Sequence, residues 1–292
     1  MYIERTIPFN VWVCFITSVA SVQSNDNTYI DLSHPQSATT IYWPGQPRFN
    51  RTVVAKGSNE NNVWIEVGAY NSGEHGGTHM DAPRHFYPTG FDLKDLPLER
   101  TIADGVMIDV RSEAEANIDY QLTVEKLLAW EENHGRLPPR AAVVVNNGWT
   151  SRWPDPLSFF GTKNGNNYTS FHFPIVSIEA AEWLLQNRDL KILALDVPSP
   201  DGATDDKFPV HQLLLSRNII IVENVMVPNT LPARGFRFHA APIRIEGGTG
   251  VQTRVYAILN DASSCANEIP PTFLLLLFLA AAAVFNYRRL AV

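Results

Sequence analysis

Short runs of apolar residues recur along the body of the chain, and most are flanked by Gly, Pro, Asn or Asp. Runs of this length, rich in Val and Ile and bounded by turn residues, predict buried β-strands. The predicted strands cover residues 29–32, 63–67, 106–110, 141–145, 192–196, 219–223 and 251–259.

Helical periodicity is less frequent than strand-like patterning. Thr123 can cap a helix over residues 124–133, and Ser177 can cap a second helix over residues 178–187. A short third helix is predicted over residues 210–216. Strands therefore outnumber helices and alternate with them only in the second half of the chain. The pattern predicts a single strand-rich α/β domain over residues 25–262, with a mixed sheet.

Both ends of the chain read as targeting segments. Residues 8–20 are mostly apolar and follow Arg5, which predicts a signal peptide over residues 1–20. Residues 263–292 contain a short apolar tail, which predicts either a lipid-anchor signal or a short membrane span. Glycosylation sequons begin at Asn50 and Asn167. These features predict a location in the secretory pathway, outside the cell or attached to its surface membrane.

Charge and cysteine content narrow the class of protein. The 292 residues carry a formal net charge of −7, and no basic run is present. Nucleic acid is therefore not expected as a partner. Of the two cysteines, Cys14 lies in the predicted signal peptide, so an internal disulfide framework is excluded. Residues 151–173 form a long connection rich in aromatic residues, which indicates either a substrate-covering loop or a plain insertion.

The stretch HGGTHMDAPRHF, residues 75–86, concentrates candidate metal ligands. Its two glycines disfavour a helical H-x-x-x-H zinc motif, because each weakens a helix by about 1 kcal/mol. In an extended chain, by contrast, His75, His79, Asp81 and His85 point to one side. The glycines let that chain bend, which brings the ligands close enough for one ion. Unrelated core or surface histidines are the alternative interpretation.

Imidazole and carboxylate ligands suit Zn²⁺, Mn²⁺ or Fe²⁺, and a site without cysteine favours an open catalytic centre over a closed structural one. Further ligands are expected at His211, near the start of the short helix, and at Glu223, which closes an apolar run. Asp81 has two oxygens and could bridge two ions. Asp196 and Asp201 either support these ligands or order their loops, and the loop role is favoured.

These residues resemble the H-x-G-T-H-x-D-x-P-x-H-F signature of the cyclase family, which includes bacterial-type kynurenine formamidases and isatin hydrolases. Similar segments follow in the family's order: YIDLSHP, WPG, ALDVPSPD, FPVHQLLLSRNIIIVENV and FRFHAAPIRIEGGTGVQTRVYAIL. Together they span residues 29–259. The NNGW segment at residues 146–149 departs from the family pattern, which leaves substrate specificity open.

The resemblance implies a swivelling β/β/α fold, a homodimer and one or two divalent ions, Zn²⁺ or Mn²⁺. It assigns the first ion to His75, His79 and Asp81. It assigns the second to His211 and Glu223, with Asp81 shared. His85 would be the catalytic histidine, delivering a proton to the leaving nitrogen.

The implied activity is metal-dependent hydrolysis of an aromatic amide. The first expected reaction is an arylformamidase reaction, which converts N-formyl-L-kynurenine to L-kynurenine and formate in tryptophan catabolism. The alternatives are hydrolysis of a cyclic amide (lactam), as in isatin hydrolases, or non-catalytic binding of a small molecule. Trp43 and Phe86 are candidates for contact with the aromatic ring, although either residue could equally be ordinary core.

Overall fold

The structure is a computed structural model, and it describes residues 28–259. Thirteen strands and five α-helices lie in this range, joined by short 3₁₀ helices. The strands are β1 Tyr29–Asp31, β2 Asn50–Ser58, β3 Trp64–Asn71, β4 His79–Asp81, β5 Ile102–Asp109, β6 Gln121–Leu122, β7 Ala142–Asn146, β8 Ile175–Val176, β9 Ile192–Leu195, β10 Ile220–Glu223, β11 Arg234–His239, β12 Gly250–Gln252 and β13 Tyr256–Leu259. The helices are α1 Arg111–Ala116, α2 Val124–His134, α3 Pro156–Phe159, α4 Ile178–Arg188 and α5 Pro209–Leu215.

Nine of these strands form one mixed sheet in the order β1-β13-β11-β5-β7-β9-β10-β4-β12. The four central strands, β5, β7, β9 and β10, pair in parallel. Antiparallel strands complete the sheet on both sides. The architecture confirms the predicted strand-rich, mixed α/β domain.

The central strands are buried on both faces, which explains why they read as continuous apolar runs. On β7, Val143 and Val145 face a core that includes α2 and α4. The alternate residues, Ala142 and Val144, face a second core built from the antiparallel strands. A strand that is apolar on both faces cannot lie at a solvated surface, so these four strands form the centre of the molecule.

The predicted helix starts are confirmed. The side chain of Thr123 accepts a hydrogen bond from the backbone N–H of Lys126, and that of Ser177 accepts one from Ala180. The third predicted helix is α5, one residue earlier than expected. The sequence prediction missed β2, β11, the two-residue strands β6 and β8, and the short helices α1 and α3, and it joined β12 and β13 into one strand.

Strands β2 and β3 form a separate hairpin, with residues 59–63 between them. Nearly every residue of the two strands is exposed. Apolar side chains on the hairpin are between 45% and 68% exposed, namely Val53, Val54, Val63, Trp64, Ile65, Val67 and Tyr70. We call these residues the hairpin arm; they are the largest group of exposed apolar side chains on a single element within residues 28–259.

Residues 151–173 are not a structureless insertion. They contain α3 and two 3₁₀ turns, and they place Phe159, Phe160, Phe171 and Phe173 in the core. This segment therefore packs as part of the domain.

The location predicted from the chain ends is contradicted. Within residues 28–259, no helix is long and apolar enough to cross a membrane. The segments predicted as signal peptide and anchor, residues 1–20 and 263–292, lie outside the described residues, as do the predicted domain limits at 25 and 262. Placement in the secretory pathway or at a membrane is therefore withdrawn, and glycosylation at Asn50 and Asn167 has no support.

Candidate metal centre

The centre of the site is the pairing of strand β4 with strand β10. The antiparallel register places His79 directly opposite Glu223 and Asp81 opposite Ile221. Because side chains alternate along a strand, His79 and Asp81 share one face while Met80 points into the opposite core. The sheet therefore fixes three polar side chains at one place in a buried environment.

Two further histidines reach this place from outside the sheet. His75 lies before β4, where Gly77 adopts a left-handed backbone conformation with φ +61°. This conformation is unfavourable for other residues and provides the bend that the sequence predicts. His75 Nδ1 then lies 2.7 Å from Asp81 Oδ1. His211 comes from the first turns of α5, which packs against β10.

The five side chains form two overlapping ligand groups. His75, His79 and Asp81 make one group, and Asp81, His211 and Glu223 make the other; within each group the ligand atoms lie within 4.8 Å of one another. His79 Nε2 of the first group is 3.3 Å from Glu223 Oε2 of the second, and within the second group His211 Nε2 is 3.5 Å from Asp81 Oδ2. Asp81 is thus common to both groups.

The polar atoms at the centre of this cluster lack ordinary partners. His79 Nε2, Asp81 Oδ2 and Glu223 Oε1 are buried and make no hydrogen bond. Burying such atoms unpaired is costly, and most buried polar atoms in folded proteins have a partner. Nitrogen and carboxylate oxygen atoms that converge in this way match the ligand chemistry of a divalent metal ion. The residues present therefore fit a divalent ion.

The electrostatics of the cluster favour positive charge. Burial alone lowers the pKa of His79, but the adjacent carboxylates of Asp81 and Glu223 raise it to about 10. Burial likewise opposes charge on His211, yet the hydrogen bond to Asp201 and the adjacent carboxylates of Asp81 and Glu223 hold its pKa well above the usual value. Three carboxylates therefore stabilise a cation within this buried volume.

His85 lies beside the cluster and in neither ligand group. It ends a 3₁₀ helix that begins at Pro83 directly after β4, and its ring stacks on His75 with centroids 3.9 Å apart. Burial lowers the pKa of His85 to about 4, so the ring is neutral at pH 7. A neutral imidazole can accept a proton before it donates one.

An apolar cavity of about 230 Å³ opens onto the cluster. The lining includes His75, His79, His85, His211 and Glu223, and both predicted ring-contact residues, Trp43 and Phe86. The other aromatic lining residues are Tyr42, Phe159, Phe160 and Phe208. Because Phe159 and Phe160 belong to residues 151–173, this segment supplies part of the cavity wall. Within residues 28–259 the lining contains neither lysine nor arginine.

Asp201, for which the sequence favoured a loop-ordering role, contacts the candidate metal ligand His211 directly. One of its oxygens accepts from the backbone N–H of His211 and lies 2.7 Å from His211 Nδ1, which leaves Nε2 facing the cluster. The other accepts from the backbone N–H of Val210. Asp201 therefore both orders its loop and orients the ring of His211, a candidate ligand.

Asp196 has the loop-ordering role that the sequence favoured for it. It accepts hydrogen bonds from the backbone N–H groups of Asn147 and Trp149 and from the Asn147 amide. Burial raises its pKa to about 6 against the effect of these donors. It therefore holds the 146–149 loop rather than a ligand.

The sequence model of the family described as putative cyclase matches residues 30–202. The chain belongs to the putative cyclase family. Among its relatives, isatin hydrolase of Roseibium aggregatum is 33% identical over 199 residues, covering 65% of this chain and 73% of that protein. Kynurenine formamidase of Salinibacter ruber is 27% identical over 241 residues, covering 80% and 97%.

Solved structures give the same family. Isatin hydrolase A from Ralstonia solanacearum matches with a TM-score of 0.72 and 28% identity, covering 80% of this chain and 92% of that chain. The predicted membership in the cyclase family is confirmed, and so is the enzyme class, a metal-dependent hydrolase that acts on carbon–nitrogen bonds.

Proposed function

We propose that this cyclase-family chain hydrolyses the carbon–nitrogen bond of a small, uncharged aromatic amide. The observation that carries the proposal is the convergence of five candidate ligand side chains, four of them buried and four of them lining an aromatic cavity. The proposed ligands are His75, His79, Asp81, His211 and Glu223. They suit one or two ions of Zn²⁺ or Mn²⁺, because nitrogen and oxygen donors without thiolate match both metals.

A divalent ion held by these residues supplies Lewis-acid activation of water and of the amide carbonyl. The chain itself supplies proton transfer and orientation. His85 is neutral and lines the cavity, so it accepts the proton of the attacking water and returns it to the leaving nitrogen. The water oxygen bonds to the carbonyl carbon as the carbon–nitrogen bond breaks, and the nitrogen leaves as a neutral amine. Trp43 and Phe86 hold the aromatic ring.

Two substrates follow from the two kinds of relative, and the cavity favours one of them. N-formyl-L-kynurenine, the substrate first expected from the sequence, carries a carboxylate and an ammonium group on its side chain. The described lining offers no lysine or arginine for that carboxylate. A lactam of the isatin type has no charged group and fits an aromatic lining. We therefore propose an isatin-type lactam as the better substrate and N-formyl-L-kynurenine as the second candidate.

The test compares both substrates on the full chain loaded with Zn²⁺ or Mn²⁺. We expect kcat/KM for isatin opening to exceed that for formate release from N-formyl-L-kynurenine by about 10-fold or more, equivalent to about 1.4 kcal/mol. The reverse order would overturn the substrate choice and leave the reaction class intact. No turnover of either compound, or of related aryl amides, would contradict the proposed function.

The proton-transfer role of His85 is tested in the same assay. His85→Ala should lower kcat by about 100-fold or more, as expected for loss of a general acid–base group. The matched control is His172→Ala, because His172 is half-exposed and pairs with Asp119 away from the cavity. A His85→Ala protein with unchanged kcat would contradict the assignment.

We also propose that the chain forms a homodimer through the hairpin arm. An isolated two-stranded hairpin is at best marginally stable in water, and exposed strand edges invite pairing. Seven apolar side chains are exposed on this one hairpin, and together they offer apolar surface to a second copy. Sedimentation of the purified chain at micromolar concentration should give the mass of two copies, and a single-copy mass at all concentrations would reject the proposal.

A further inference from the structure

Each of the three ligand histidines has one ring nitrogen engaged outside the cluster. The Nδ1 atom of His79 lies 2.9 Å from the carbonyl oxygen of Gly77, and that of His211 lies 2.7 Å from Asp201. In both rings Nδ1 is thereby the protonated nitrogen, and Nε2 faces the cluster. A carbonyl or carboxylate behind a metal-binding histidine commonly selects the tautomer in this way.

His75 has the opposite arrangement. Its Nε2 atom lies 3.0 Å from the hydroxyl oxygen of Thr249, and its Nδ1 atom faces Asp81 in the cluster. The ring also stacks on His85, and a side chain at position 250 would collide with it, so Gly250 leaves the space that this orientation needs.

Glu74 determines the direction of the hydrogen bond between His75 and Thr249. The Thr249 hydroxyl donates to Glu74 Oε2 at 2.6 Å, and the backbone N–H groups of Thr249 and Gly250 donate to the same oxygen. Three donors converge on this one oxygen, so Glu74 Oε2 acts only as an acceptor. A hydroxyl has one proton, and Thr249 gives it to Glu74. The Thr249 oxygen must therefore accept a proton from His75 Nε2.

We propose that Glu74, acting through the Thr249 hydroxyl, is a positioning residue that makes Nδ1 the ligand nitrogen of His75. The metal centre then uses Nδ1 from His75 and Nε2 from His79 and His211. This inference rests on the ligand set given under Proposed function and adds the two residues that select one ligand atom. Neither Glu74 nor Thr249 touches the substrate cavity in the described lining.

The chain of contacts has a specific consequence for one ligand group. Without the Thr249 hydroxyl, His75 Nε2 loses its acceptor, and the Nδ1–H tautomer would direct a proton at Asp81. The group made by His75, His79 and Asp81 should then bind an ion about 10- to 100-fold more weakly, the usual effect of removing a partner behind a metal ligand. The group made by Asp81, His211 and Glu223 keeps its own partner, Asp201.

The first measurement needs no variant. Proton–nitrogen correlation spectra of the zinc-loaded full chain, with ¹⁵N in the histidine rings, report the tautomer of each ring. We expect His75 to be protonated at Nε2, and His79 and His211 at Nδ1. A His75 ring protonated at Nδ1 would overturn the inference even if the protein binds zinc and is active.

The second measurement is a calorimetric Zn²⁺ titration of the metal-free full chain. Thr249→Val removes the hydroxyl, Glu74→Gln removes the charge, and Thr249→Ser keeps the hydroxyl and serves as the conservative rescue. We expect the Val variant to lose 10- to 100-fold in affinity at one position, the Gln variant to lose less, and the Ser variant to resemble the wild type. Melting temperatures of the metal-free variants show whether each is folded.

Two outcomes separate this inference from the proposed function. Unchanged Zn²⁺ affinities in a folded Thr249→Val chain would overturn the positioning role and leave the ligand set standing. A wild-type chain that binds no Zn²⁺ would overturn both.

Discussion

The ligand cluster and the hairpin arm depart from the usual distribution of polar and apolar groups in opposite ways. The cluster buries ionisable side chains, three atoms of which have no hydrogen-bond partner, whereas the arm exposes Trp64, Val54 and other apolar side chains to solvent. Buried polar and grouped exposed apolar residues are the two informative exceptions to ordinary burial. The two regions suit partners of different chemistry: the cluster fits a divalent ion, and the arm fits the apolar surface of the second copy proposed above.

The largest effect should come from Asp81, which both ligand groups share. Asp81→Asn removes the charge that faces three histidines, so we expect kcat/KM to fall by about 1000-fold, or about 4 kcal/mol. Metal analysis should show that bound zinc is lost in parallel. Asp206→Asn, which makes the same charge change at an exposed position, is the control. Wild-type zinc content in Asp81→Asn would mean that Asp81 is not needed to hold the ion.

Asp196 is a second buried carboxylate, but unlike Asp81 it has hydrogen-bond donors of the chain as its partners. Its replacement should therefore affect stability and not metal content. Asp196→Asn would place an amide N–H against the donors of Asn147 and Trp149. The free energy of unfolding in urea should fall by about 3 kcal/mol, the cost of a broken buried polar network. Zinc content should not change in the protein that remains folded. Asp104→Asn, in an exposed pair with Arg237, should cost about 0.5 kcal/mol or less.

The hairpin arm should respond to charge rather than to metal. Trp64→Lys combined with Val54→Lys places two charges on the apolar patch, and we expect the dimer dissociation constant to rise about 100-fold, or about 2.7 kcal/mol. Sedimentation equilibrium measures this shift. Asn61→Lys, in the turn of the same hairpin, adds charge without removing apolar surface. If both proteins stay dimeric, the arm is not the interface.

The smallest effect is expected where a charged pair is already complete. Glu131 and Arg188 join α2 to α4 through two hydrogen bonds of 2.6 Å. Glu131→Gln should lower the free energy of unfolding at pH 7 by about 1 kcal/mol, with no effect on zinc content or dimer mass. Glu66→Gln, in a more exposed pair, should have less effect.

The effect of Glu131→Gln should depend on pH in a defined direction. Hydrogen bonds from Arg188 hold the pKa of Glu131 below its usual value of 4.5, against the effect of burial. A carboxylate with a lowered folded-state pKa stabilises the fold above its unfolded pKa and loses that contribution as the pH falls. The difference between wild type and variant should therefore be constant from pH 7 to 5 and shrink below 4.5. A difference that grows on acidification would contradict the assigned pair.

The central sheet could be predicted from the sequence because its strands are buried on both faces. The apolar runs that became β7, β9 and β10 are continuous, and no other environment accommodates them. Strand β2 could not be predicted because its valines are followed by Ala-Lys-Gly, which interrupts the apolar run. Its side chains are also exposed and do not pack in a core. Strand β11 alternates Arg with Phe over a short length, which local pattern alone does not distinguish from a loop.

The convergence of the candidate ligands could be predicted in part, because the spacing of His79 and Asp81 places both side chains on one side of a strand. The partners behind the ligands could not. Glu74 bonds to Thr249 across a separation of 175 residues, and nothing local to either residue indicates that they meet. Asp201 was noticed only as an acid in a loop, since its bond to His211 depends on how α5 returns to the sheet.

The register of β4 has a consequence for how this gene segment can vary. Strand β4 is three residues long and is paired on both sides, with β10 and with β12. Deleting or inserting one residue between Gly77 and His79 would shift the strand by one position, so Met80 would enter the cluster and both ligands would turn into the opposite core. A point substitution in β4 can weaken the cluster to a greater or lesser degree, whereas a change in length removes both His79 and Asp81 from it at once. Insertions among natural or engineered variants should therefore fall in the hairpin or in residues 161–167, and not between His75 and Asp81.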